Sequence, residues 1–171
     1  MEGWMEEIIR NLDRIRDNSQ YYKVNGTIAA SNTNVNSKYK LDYFFNNEKE
    51  EFKKLEIDLS DKFQATINVN ILPRSVRINN PRLTLDSHRG EKDVQDRVAF
   101  SRCRIHYDGF HFYGVLYHPY NKGETTSTVE IIAPYIPGIK PGDTVQVDFI
   151  SNEVELIEEN NDERNTHHPS S

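Results

Sequence analysis

Three groups of residues in this chain are of types that could do chemistry. The first is a single acid, Glu130, in the apolar run Glu130-Ile131-Ile132-Ala133-Pro134. A lone carboxylate in such surroundings needs a partner or a ligand, because burying an unpaired charge is expensive. It could accept a hydrogen bond from a substrate hydroxyl, or act as a general base if burial raised its pKa. It could equally be the interior half of an ion pair with Arg102 or Arg104. The second group is Thr66 and Asn68, two residues apart in Gln64-Ala65-Thr66-Ile67-Asn68-Val69-Asn70-Ile71. On a strand that spacing puts a hydroxyl and an amide on one face. Two neutral oxygens so placed could serve a Mg²⁺ ion whose other ligands are water and phosphate oxygens. The same pattern also describes an ordinary solvated face. The third group is the histidines. His106, His111 and His118 are dispersed around a hairpin rather than spaced as metal ligands, and His167-His168 lies near the end. No P-loop, dinucleotide fingerprint or Ser/His/Asp elbow is present.

These residues must be positioned by short strands. Tyr22, Val24, Gly26 and Ile28 alternate, as do Tyr39, Leu41 and Tyr43, and the asparagine-rich stretch from Ala29 to Ser37 links them. Ile67, Val69 and Ile71 share a face opposite Thr66, Asn68 and Asn70. Arg74 to Pro81 reads as a polar strand or loop, and charged Asp86 to Gln95 as a mobile surface loop. Val98 to Ile105 and Phe110 to Tyr117 flank the turn signal Asp108-Gly109. Asn121 to Thr128 is turn-rich. Glu130 to Pro134, a tight connector from Tyr135 to Gly138, and Thr144 to Val147 follow, with a last short strand within Asn152 to Ile157. Two helices are expected: an amphipathic one over 2–16, with Trp4, Ile8, Leu12 and Ile15 on one face, and a short one from Glu48 to Leu55. The expected organisation is a helix in 1–20, an all-β domain over 21–157, and an acidic, disordered tail over 158–171.

With 171 residues, one domain is the natural expectation. Nine Tyr, eight Phe and one Trp concentrate the apolar content in large side chains that fill a small core. A net charge of -6 without a basic cluster argues against nucleic acid and anionic membrane as partners. The single Cys103 excludes an internal disulfide and reads as a small buried hydrophobe. No apolar signal-peptide core and no run of about 20 apolar residues is present, so the expected location is cytoplasmic.

On two motifs the chain resembles the archaeal CTP-dependent riboflavin kinase family. One is Glu130-Ile131-Ile132-Ala133-Pro134 with Gly142-Asp143-Thr144-Val145 beyond it; the other is Ala65-Thr66-Ile67-Asn68-Val69. The separation of Asn68 and Glu130 also fits, and the resemblance spans roughly Val24 to Ile150. It implies a small closed cradle-loop β-barrel, of Greek-key type with about six strands, carrying an N-terminal helix and a short peripheral helix. It implies Mg²⁺ held by Thr66 and Asn68, and Glu130 at the reacting end of the flavin, binding substrate and acting in catalysis. Nucleotide would lie against Ser31, Asn32 and Asn34 of the loop and Tyr135, Ile136, Pro137 and Gly138 of the connector. The implied reaction transfers a phosphoryl group from CTP to riboflavin, giving CDP and FMN. Tyr113, Tyr117 or Tyr135 could cover the isoalloxazine ring. Three departures stand out: Ala30 to Ser37 contains no glycine, the connector lacks a basic residue, and Lys122 replaces a threonine eight positions before Glu130. Lys122 could contact the substrate phosphate. The alternative on the same barrel is a non-catalytic module that binds a nucleotide, a flavin or a protein.

Overall fold

The computed structural model describes residues 20–30, 49–56, 66–89, 94–120 and 124–158. The chain is all-β. Its strands are β1 (Tyr21–Ile28), β2 (Thr66–Asn70), β3 (Arg74–Ile78), β4 (Leu83–Arg89), β5 (Val94–Tyr107), β6 (Phe110–Pro119), β7 (Thr128–Ile132), β8 (Thr144–Ile150) and β9 (Val154–Glu158). One helical turn, α1 (Lys49–Phe52), runs on as a 3₁₀ turn through Leu55. The expected helix over 2–16, the strand from Tyr39 to Tyr43 and the tail all lie outside the described residues.

Six strands form an antiparallel ring in the order β5-β6-β7-β2-β1-β8, and β8 pairs back onto β5. The 14 residues of β5 make this closure. Its first half pairs with β4, from Val94 opposite Arg89 to Phe100 opposite Leu83. Its second half pairs with β8, from Cys103 opposite Phe149 to His106 opposite Gln146. Gly26 lets β1 press onto β2, because a Cβ there would sit 2.5 Å from Val69 Cγ1 and 2.9 Å from the carbonyl oxygen of Asn70. The β5–β6 turn places Asp108 at φ 51° and Gly109 at φ 80°, the pair of left-handed residues that a tight two-residue hairpin requires.

Alternation along the ring strands separates two faces. Val24, Val69, Cys103, Ile105, Leu116, Ile131, Val147 and Phe149 point inward into one core, and Val76, Ile78 and Val154 of the two-stranded β3–β9 sheet belong to it. Burial pushes the Cys103 thiol far above its ordinary range, so it is an inert core side chain. A second core lies on the outer face of the ring. There Phe52 and Leu55 pack on Leu83, Leu85, Phe100, Val115, Tyr117 and Ile132. Phe52 meets Phe100 edge to face at 5.4 Å. A single helical turn cannot stand alone in water, so these contacts hold it, with about 1.5–3 kcal/mol from each large apolar side chain buried.

Within the stretch from Asp86 to Gln95, residues 86–89 and 94–95 are strand and not the loop that its charge suggested. β4 continues through Arg89 and β5 begins at Val94. Ladder pairing with β5 satisfies this backbone, and buried Leu83 and Leu85 anchor the strand to the outer core. Arg74–Ile78 resolves as a strand for a similar reason, since Val76 and Ile78 reach the inner core.

Candidate functional site

Register brings Thr66, Asn68 and Glu130 together. In the β2–β7 ladder, Asn68 is directly opposite Glu130 and Thr66 opposite Ile132. In the β6–β7 ladder, Tyr117 is opposite Glu130. Directly opposed residues share a face. Thr66, Asn68, Glu130 and Tyr117 are therefore neighbours on one wall, while Ile67, Val69, Val129 and Ile131 point the other way into the core.

Glu130 thus faces outward, and of its two readings the interior ion pair with Arg102 or Arg104 does not form. Arg102 engages Glu56 at 3.3 Å and Glu153 at 3.1 Å, and Arg104 engages Asp148 at 2.8 Å. Strand parity is the reason: the inward positions of β7 belong to Val129 and Ile131. Glu130 is nonetheless half-buried, and its Oε2 is shielded from solvent with no hydrogen-bond partner. The Oδ1 of Asn68, on the residue opposite, is buried and unpartnered in the same way. Leaving such an atom unsatisfied costs about 1–3 kcal/mol, so two on adjacent strands call for a cation or a donor. Among the described residues no group of three or more His, Cys, Asp or Glu side chains could hold a metal. The fit to Mg²⁺ therefore rests on the chemistry of this oxygen set: a hydroxyl, an amide oxygen and a carboxylate, all hard ligands that leave positions for water and phosphate.

The elements around this wall are sewn together by backbone. Ala29 N–H donates to the Asn68 carbonyl at 2.9 Å, Ile28 N–H to the Asp143 carbonyl at 2.8 Å, and Gly142 N–H to the Ile28 carbonyl at 2.8 Å. The start of the asparagine-rich loop, the strand bearing Asn68 and the Gly-Asp turn thus meet at one end of the ring. The connector joins them. Tyr135, Pro137 and Gly138 are exposed, whereas Ile136 is buried in the inner core and could meet a ligand only through its backbone. Ser31, Asn32, Asn34 and Lys122 lie outside the described residues.

His118, opposite Ala99 in the β5–β6 ladder, feels the charges of Glu124 and Glu130. Burial lowers its pKa, while the charges of Glu124 and Glu130 pull the other way. Its Nε2 is 4.0 Å from Glu124 Oε2, beyond hydrogen-bond length.

A second polar cluster was missed by sequence reasoning. Asp148 is fully buried and accepts from Arg104 Nε at 2.9 Å, Gln146 Nε2 at 2.9 Å and His106 Nε2 at 2.6 Å. His106 is also the cross-strand partner of His111, their rings 5.9 Å apart, so the hairpin gathers two of the histidines that the sequence disperses. The signal was present: Asp148 stands in Val147-Asp148-Phe149-Ile150, an acid in an apolar run like Glu130. Scanned against protein-family models and compared with curated proteins, the chain matches none of them.

Proposed function

We propose that this chain is a riboflavin-kinase-like phosphotransferase on a closed cradle-loop barrel. It transfers a phosphoryl group from a nucleoside triphosphate, CTP by analogy, to the ribityl 5′-hydroxyl of riboflavin, giving FMN and CDP. The observation that carries this reading is the facing pair Asn68 and Glu130, each with a buried, unpartnered oxygen, on the wall that also bears Thr66. Thr66 and Asn68 are the residues that would hold Mg²⁺. When bound, the ion would offset the negative charge developing on the donor phosphates.

Glu130 orients the 5′-hydroxyl and takes its proton as the oxygen attacks the terminal phosphorus. The new bond is O5′–P, the bond to the bridging oxygen breaks, and the nucleoside diphosphate leaves with that electron pair. The outward position of Glu130 suits a substrate that approaches from solvent. The shielding of its Oε2 suits a carboxylate that must meet a hydroxyl rather than bulk water. Ala29 is bonded to the strand that bears Asn68, and Ile28 to Gly142 and Asp143 beyond the connector, which suits a donor held at this end of the ring.

The test is direct. The purified protein is incubated with riboflavin, Mg²⁺ and each nucleoside triphosphate in turn, and FMN is measured. Formation of FMN that is lost in Asn68→Ala supports the site as drawn; no FMN with any donor sinks it. A second reading is a binding module without catalysis. The glycine-free stretch from Ala30 to Ser37 favours it, because glycines let backbone N–H groups approach phosphate closely. Quenching of flavin fluorescence without turnover would select that reading.

A further inference from the structure

We propose that the β5–β6 hairpin carries a transition-metal site, in which His106 and His111 hold a divalent ion of the Zn²⁺ class and water fills its remaining positions. The two histidines are directly opposed in the β5–β6 ladder. That relation puts Cβ atoms roughly 4.5–5.5 Å apart on one face of a sheet. Their rings lie 5.9 Å apart, centre to centre, and are tilted by 52°. With metal–nitrogen bonds of about 2.0–2.1 Å, two imidazoles on one tetrahedral ion have ring centres roughly 5 Å apart. A small turn of either ring spans the difference.

The hairpin holds the pair in place. Only Asp108 and Gly109 separate the paired residues Tyr107 and Phe110, and a turn this tight fixes the register of the strands it joins. The Tyr107 hydroxyl donates to Asp143 Oδ2 at 2.7 Å, which anchors the hairpin to the turn before β8. His106 is oriented from behind. Its Nε2 donates to Asp148 Oδ2 at 2.6 Å, and that carboxylate is fully buried. With Nε2 carrying the proton, Nδ1 is the nitrogen that His106 can offer a metal. A carboxylate behind the ring is the usual partner of a metal-ligating histidine, because it fixes the tautomer and raises the basicity of the ligand. Arg104, 2.8 Å from the same oxygen, already supplies the counter-charge for Asp148. Tyr113 packs edge to face on the His111 ring at 5.6 Å.

Solvent reaches both rings, since the His106 side chain is 35% exposed and His111 is exposed. Among the described residues no group of three or more His, Cys, Asp or Glu side chains could hold a metal, so these residues supply two imidazoles and the coordination is open. Imidazole nitrogen suits Zn²⁺, Cu²⁺ and Ni²⁺, whereas Mg²⁺ takes oxygen ligands. The hairpin and the oxygen wall at Asn68 and Glu130 therefore select different ions, and the hairpin site does not rest on the phosphotransferase reading.

The test titrates Zn²⁺ into the untagged full chain by calorimetry and loads the same protein with Cu²⁺ for electron paramagnetic resonance, whose hyperfine pattern counts nitrogen ligands. Every protein carries His167→Gln and His168→Gln, which removes the adjacent histidine pair near the end of the sequence. The parent should bind one equivalent of Zn²⁺, undisturbed by excess Mg²⁺. His106→Ala and His111→Ala should each weaken it by about tenfold or more, since even the loss of a residue behind a ligand costs that much. The copper spectrum should show two nitrogens in the parent and one in either variant. Unchanged circular dichroism of His111→Ala, expected from the exposure of that residue, ties the loss to the ligand itself. A chain that binds no Zn²⁺, or alanine variants that bind it as tightly as the parent, would overturn the site. Displacement of Zn²⁺ by Mg²⁺ would assign the ion to the oxygen wall and overturn it as well. FMN formation plays no part in these readouts, so the phosphotransferase reading and the hairpin site stand or fall separately.

Discussion

Two acids face outward from opposite walls of the same ring, and they are treated oppositely. Asp148, on the β5–β8 wall, is fully buried and has every oxygen engaged, by Arg104, His106 and Gln146. Glu130, on the β2–β7 wall, is half-buried with one shielded oxygen that has no hydrogen-bond partner among the described residues, and the amide oxygen across from it is in the same state. A guanidinium opposite Asp148 and an amide opposite Glu130 make the difference. The Asp148 carboxylate is complete without a ligand, although the hydroxyl of Tyr21, whose ring lies 4.4 Å from the Arg104 guanidinium, is buried and unpartnered beside it. The second wall leaves two facing oxygens unsatisfied, which is the opening that the proposed reaction would use.

The sharpest way to break this contrast is to remove each acid. Asp148→Ala strands the Arg104 guanidinium in a buried position, and loss of one partner of a buried pair costs about 3–5 kcal/mol. Urea unfolding should show a loss of unfolding free energy of that size; a near-neutral result would mean that the wall is wetter than its geometry implies. Glu130→Gln should do the reverse. Stability stays level or rises, since no partner is lost, while FMN formation under the proposed reaction falls by about a hundredfold or more. A Glu130→Gln variant that unfolds early but still makes FMN would exchange the roles of the two walls.

A smaller effect comes from Gly114, where β6 passes β7. A Cβ there would lie 2.8 Å from Ile131 Cγ2 and 2.9 Å from the carbonyl oxygen of Ile132. Gly114→Ala should cost about 1–3 kcal/mol by overpacking and push β7, with Glu130, away from Tyr117. Thermal unfolding reads the first effect and substrate KM the second.

The smallest effect is a pH dependence. Burial holds the folded His118 below the ordinary histidine value of 6.5, against the pull of Glu124 and Glu130. The unfolded chain then binds more protons in the window below 6.5, so stability rises with pH across it. The contribution is full above that value and is lost as the pH falls. His118→Gln should flatten the stability profile between about pH 7 and pH 5, whereas an unchanged profile would place the titration elsewhere.

Much of this was legible in the residues themselves. Alternation at Val24-Gly26-Ile28 and at Ile67-Val69-Ile71, the Asp108-Gly109 turn, the short helix ending at Leu55 and the buried Cys103 all follow from local chemistry that needs no partner strand. The types of the site residues were legible too, because an acid in an apolar run and a hydroxyl two residues from an amide are patterns within single strands. Pairing was not. That Asn68 faces Glu130, that Arg104 chooses Asp148, that His106 meets His111, and that Tyr107 reaches Asp143 are facts of register between strands distant in sequence. Register is set by how the whole ring closes, since a one-residue slip would turn every side chain of a strand to the other face. The charged stretch from Asp86 to Gln95 teaches the same thing, because a ladder partner made strand of what composition marked as loop. The sequence alone determined which residues have chemistry to offer; the closed ring decided which of them meet, and left Glu130 and Asn68 with oxygens still to be satisfied.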